Sequence, residues 1–216
     1  ILVGLFISIL FRKKIYYITQ LLLVAVVIMI GISFAVFGQI YQTGADAYDL
    51  FLVWTLAAIP FTLISRYPVL WLIWFVLLNT TIILWKEQVL GDKDDDTMMF
   101  LLFFLNIIPV VVWEMGVKRF KWNFSLRWFP RVFMAVAFYN ITLLIIIGMT
   151  RSSHLKHHGY YLAGYLIGAI LYPTMIYLYL KYLKDLIFVS LGIISILVIL
   201  CTFILRFVDD DLGGFF

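Results

Sequence analysis

One cysteine, five prolines and a charged fraction of 13% leave little of what a soluble enzyme is usually built from. The lone cysteine, Cys201, lies within an apolar run and excludes both a disulfide framework and a CxxC metal pair. No P-loop, GxSxG, HExxH or dinucleotide-binding fingerprint occurs. Nor does any apolar run hold the Ser–His pair or paired aspartates that an intramembrane protease needs. No catalytic residue, metal site or cofactor is therefore expected. The net charge of +4 forms no basic stripe on a soluble surface, so a nucleic-acid partner is not expected either.

What the chain has in abundance is oil. Hydrophobic residues make up 65% of it, and the mean hydropathy is +1.07. Ordinary globular chains are roughly 45–50% apolar and about 25% charged. Apolar runs of about 18 residues or more recur along the sequence, and lipid forces such backbone to satisfy its own hydrogen bonds. Continuous greasy runs, rather than short alternating strands, predict helices and not a barrel. The expected fold is all-α: a polytopic transmembrane bundle of about seven full spans plus a partial N-terminal span, in one integral-membrane domain over residues 1–216.

In order, Ile1–Phe11 reads as the tail of a helix that begins before this sequence, closed by Arg12, Lys13 and Lys14. Full spans are expected at 15–37, 47–65, 69–85, 98–116, 129–149, 159–180 and 186–207. Loops fall between them at 12–14, 38–49, 66–68, 86–97, 117–131, 150–158 and 181–185. When lysines and arginines are assigned to alternate sides, 11 of the 16 fall on one side and 5 on the other. The basic side should be cytoplasmic. That places loops 12–14, 66–68, 117–131 and 181–185 inside and loops 38–49, 86–97 and 150–158 outside.

The polar stretch FGQIYQTGADAYD, Phe37–Asp49, interrupts two long apolar runs. Together with SRYPVLWLIW (Ser65–Trp74), the run GQIYQTGADAYDLFLVW (Gly38–Trp54) resembles the bacterial membrane proteins grouped as domain of unknown function 2157. The resemblance covers about Gly38–Asn79. It implies a polytopic protein of the bacterial inner membrane, preceded by a polar cytoplasmic segment, and it carries over no catalytic residue.

Few residues are left for chemistry. Gln39, Tyr41, Gln42, Asp46 and Asp49 could line an outward-facing cavity, with the aspartates as cation or proton sites. The plainer reading is a structured turn in which Thr43 or Asp46 caps the next helix, where an acid also suits the helix dipole. Asn79, Asn106 and Asn140 fall near mid-span in three consecutive helices. They are either interhelical glue or a midplane polar layer of the kind transporters use. No carboxylate or lysine accompanies them at mid-depth, which weakens an ion-coupled transporter.

The remaining polar features read as structural. Glu114, near the cytoplasmic end of its span, is expected to snorkel or to pair with Lys118. His154, His157 and His158 offer too few ligands for zinc. Asp92 and Asp94–Asp96 lack a calcium-loop pattern. The basic aromatic loop Lys118–Arg131 suits anionic lipid heads. Gly164 and Gly168 form a GxxxG with Tyr161, Tyr165, Tyr172 and Tyr179 on the same face. This is a packing seam, for a neighbouring helix or for a second copy. Function follows as a non-enzymatic scaffold, sensor or envelope-maintenance component partnered by lipid. The alternative is a small-solute or ion transporter with the Gly38–Asp49 loop as its mouth.

Overall fold

The structure, a computed structural model, describes residues 2–41, 44, 46–65, 67–91, 95–120, 127–150 and 158–213. Among these are seven α-helices and no strand: α1 (Leu2–Tyr41), α2 (Ala47–Ser65), α3 (Pro68–Trp85), α4 (Asp95–Phe120), α5 (Trp128–Thr150), α6 (His158–Leu178) and α7 (Leu186–Gly213). Each contains a stretch long and apolar enough to cross a membrane, from Tyr17–Ile40 in α1 to Leu186–Arg206 in α7. The protein is thus an all-α polytopic helical chain.

The N-terminal half-span is not a separate element. Helix α1 runs unbroken for 40 residues through Arg12, Lys13 and Lys14, so 12–14 is no loop. Charge alone does not end a helix. Arginine and lysine are good helix formers, and no glycine or proline stands beside them to break the backbone pattern. The expected loop at 38–49 also shrinks, because Gly38–Tyr41 forms the last turn of α1 and α2 begins at Ala47.

The chain divides into two compact units, Ile1–Lys93 and Asp94–Phe216. In the first, α1, α2 and α3 run up, down and up, tied at three depths. At one end Gln20 Nε2 donates to Ser65 O at 3.2 Å. Midway, Trp54 Nε1 donates to Val27 O at 2.8 Å and Trp74 Nε1 to Thr55 O at 3.1 Å. Gly31 makes the first of these possible, since a Cβ there would overlap the Trp54 ring. The Thr55 and Thr81 hydroxyls meet at 2.9 Å. The apolar core between these ties is Val27, Ala58, Leu70 and Leu77. Pro68 opens α3 after an extended Tyr67 (φ −100°, ψ 122°), the pairing that a residue before proline favours.

The second unit is built around α5, whose span is more buried than any other. Met134, Ala137, Phe138, Ile141, Leu144, Ile145 and Gly148 repeat every three or four residues and are all buried. Helices α4, α6 and α7 each pack against it. The α6 face against α5 is the GxxxG. A Cβ on Gly164 would lie 3.0 Å from Leu144 Cδ2, and one on Gly168 2.7 Å from Ile145 Cδ1. Gly148 returns the favour by leaving room for Tyr161 and Tyr165. The seam is occupied within the chain, so this face is not open to a second copy.

Candidate functional site

Polar side chains gather at one end of each unit, and in both cases a helix ends there in a π-type turn. In the first unit α3 runs into the turn Lys86–Leu90, closed by Gly91 with φ +60°. From this turn Gln88 Oε1 accepts the backbone N–H of Tyr48 at 2.8 Å. It thereby satisfies one of the orphan donors at the start of α2. Asp46 precedes α2, and its carbonyl accepts from Asp49 N at 3.1 Å. Lys86 is buried in the turn.

The loop candidates are only partly described. Gln39 stands in the last turn of α1 on an exposed position, and Asp46 and Asp49 are exposed. Tyr41 closes α1, while the Tyr41 side chain and Gln42 lie outside the described residues, as does Thr43. The capping partner that sequence reasoning missed is Gln88, 40 residues away.

Each of the three asparagines is tied to its own helix. Asn79 Nδ2 donates to Phe75 O at 2.7 Å, Asn106 Nδ2 to Leu102 O at 2.8 Å and Asn140 Nδ2 to Val136 O at 2.8 Å. Asn106 and Asn140 are buried in the second unit, and Asn79 is half-buried in the first.

The most strongly built polar site was not anticipated. Asp185, with its side chain only 2% exposed, sits between α6 and α7 in the second unit. Arg131, one turn into α5, donates to its Oδ2 twice, from Nε at 3.1 Å and Nη2 at 2.9 Å. Arg127 Nη1 lies 3.6 Å from the same oxygen and donates to Leu183 O at 3.2 Å. Asp185 Oδ1 accepts the Ile187 N–H at 3.2 Å, which caps α7. Beside it Tyr179 stacks on Phe188 at 4.1 Å, and its hydroxyl donates to Glu114 Oε1 at 3.0 Å. Glu114 is therefore held by a tyrosine from the π-type turn Tyr179–Leu183 that follows α6; the Lys118 side chain expected beside it lies outside the described residues. Higher in the same unit, the Thr142 and Tyr172 hydroxyls meet at 2.7 Å.

This knot was hidden because Arg131 reads as a loop charge and Asp185 as the end of a turn. An acid directly before an apolar run was the available cue, since that is where a helix cap stands. His154, His157, Asp92 and Asp94 lie outside the described residues, as do the side chains of His158, Asp95 and Asp96 and residues 121–126 of the basic loop. Among the described residues no group of His, Cys, Asp and Glu is arranged to hold a metal. Cys201 is exposed on α7.

Seven helices that each hold a stretch long and apolar enough to cross a membrane define the class, an integral membrane protein. Within that class, residues 1–71 match the model of a family described as "Predicted membrane protein (DUF2157)". The resemblance read from the GQIYQ loop is thereby shown, and it takes in the whole of α1 as well as α2. No curated protein and no solved structure matches the chain.

Proposed function

We propose that the protein is a non-enzymatic component of a bacterial cytoplasmic membrane, a scaffold, sensor or envelope-maintenance part forming one integral-membrane domain. Its basic turns face the cytoplasm. The observation that carries this reading is the closure of the Arg131–Asp185 knot. The carboxylate spends both oxygens on the arginine fork and on a helix cap, which leaves it holding helices rather than offering a free group. The same economy recurs elsewhere: Gln88 caps α2, Trp54 and Trp74 satisfy backbone carbonyls, and the asparagines bond to their own helices. Any protein partner would meet surfaces other than the Gly164–Gly168 face.

Asp46→Asn combined with Asp49→Asn is the direct test. On this reading, abundance in the membrane and co-purifying partners stay as in the parent protein. Loss of a solute flux at unchanged abundance would overturn it in favour of transport.

A further inference from the structure

The α6–α7 turn contains the only non-glycine residue with positive φ among the described residues, Lys184 at φ 48°. Asp185 N donates six residues back to Tyr179 O at 3.2 Å, so Lys184 occupies the position after a helix end that glycine ordinarily fills. A side chain is disfavoured in that conformation, and Gly91 shows that this chain uses glycine at the equivalent place after α3. The lysine side chain must therefore contribute something that the backbone does not need.

Its neighbours indicate what that is. Arg127, whose side chain is 51% exposed, is strapped to the turn through Leu183 O. Lys181 Nζ donates to Tyr177 OH at 2.9 Å and lies 5.2 Å and 5.7 Å from the ring centres of Tyr177 and Tyr182. Both rings are exposed, as are Leu180 and Leu186. Arg131 and Arg127 share the single carboxylate of Asp185, at 2.9 Å and 3.6 Å, so these two arginines together with Lys181 and Lys184 leave the turn with a surplus of positive charge. They sit where two membrane spans end, at Leu183, and begin, at Leu186.

We propose that this turn is a seat for the headgroup of an anionic phospholipid, with Arg127, Lys181 and Lys184 as its cationic contacts. Tyr177, Tyr182, Leu180 and Leu186 lie against the glycerol and the first methylenes of the acyl chains. Exposed rings and aliphatic side chains among the cations favour a lipid over free phosphate, because tyrosine is at home at headgroup depth.

The test uses the full chain in a neutral maltoside detergent, titrated with short-chain phosphatidylglycerol and, separately, phosphatidylcholine. The parent protein should prefer phosphatidylglycerol, and each charge removed should weaken that preference about fivefold. Lys184→Gly is the decisive variant, because glycine accepts the turn. It should lose about fivefold in preference while its melting temperature stays level or rises. Lys181→Gln combined with Lys184→Gly should lose about 25-fold. Equal binding of the two lipids by the parent protein would overturn the proposal. So would an unchanged preference in Lys184→Gly, or full displacement of the lipid by millimolar inorganic phosphate.

Discussion

The two units end a helix in the same way and use the ending differently. After α3 the π-type turn closes on Gly91, and its side-chain bond, from Tyr48 N to Gln88, is neutral and solvent-exposed. After α6 a turn of the same length closes on Lys184, and the next residue is a buried, doubly bonded aspartate. Backbone geometry is thus indifferent to charge, and what sits on the turn decides how much of the unit depends on it. The Gly91 turn positions one helix start. The Lys184 turn locks α5 to the start of α7 and stands beside the Tyr179–Glu114 bond that reaches α4.

Removing one side-chain contact at each turn should separate them most widely. Arg131→Ala leaves a buried carboxylate with only the longer contact to Arg127 and the Ile187 N–H, and should cost about 3 kcal/mol, seen as an early thermal transition of the detergent-solubilised protein. Gln88→Ala removes one exposed cap and should cost about 0.5–1 kcal/mol in the same measurement. Similar losses for the two would erase the distinction. A smaller pair of opposite sign sharpens it. Gly91→Ala forces a side chain into positive φ and should destabilise by about 1 kcal/mol, whereas Lys184→Gly relieves that conformation and should be neutral or stabilising.

The sequence disclosed these elements unevenly. The spans were legible because each is a long apolar run, and lipid leaves helix as the open-ended solution for it. The Lys/Arg alternation is also read from the sequence alone, but it counted Arg12–Lys14 as a loop, and these residues lie inside α1. The continuity of α1 was not legible, since Arg12–Lys14 resembles a loop by charge while being sound helix by propensity. The family resemblance at GQIYQ pointed to the first unit, where the match lies. It said nothing of the second unit, which holds the strongest ionic contact.

Partnerships were the least legible feature. Arg131 and Asp185 stand 54 residues apart, and Tyr179 and Glu114 stand 65 apart. No periodicity within one helix links such residues; only the packing of α4, α6 and α7 around α5 brings them together. The Gly164–Gly168 spacing announced a close approach but not its partner, because a small-residue seam accepts an internal helix and a second copy equally well. Gln88 was hidden for a third reason. It belongs to a hydrophilic stretch in which every side chain has the look of solvated loop.

The central claim is that the chain crosses the bilayer seven times with its basic turns on the cytoplasmic side. It is tested most directly by labelling single cysteines in a Cys201→Ser background. Glu87→Cys and Lys181→Cys are treated in intact cells with a maleimide that cannot cross the membrane, and again after permeabilisation. The account predicts that residue 87 is labelled in intact cells and residue 181 only once the membrane is opened. Labelling of both from the same side would contradict it.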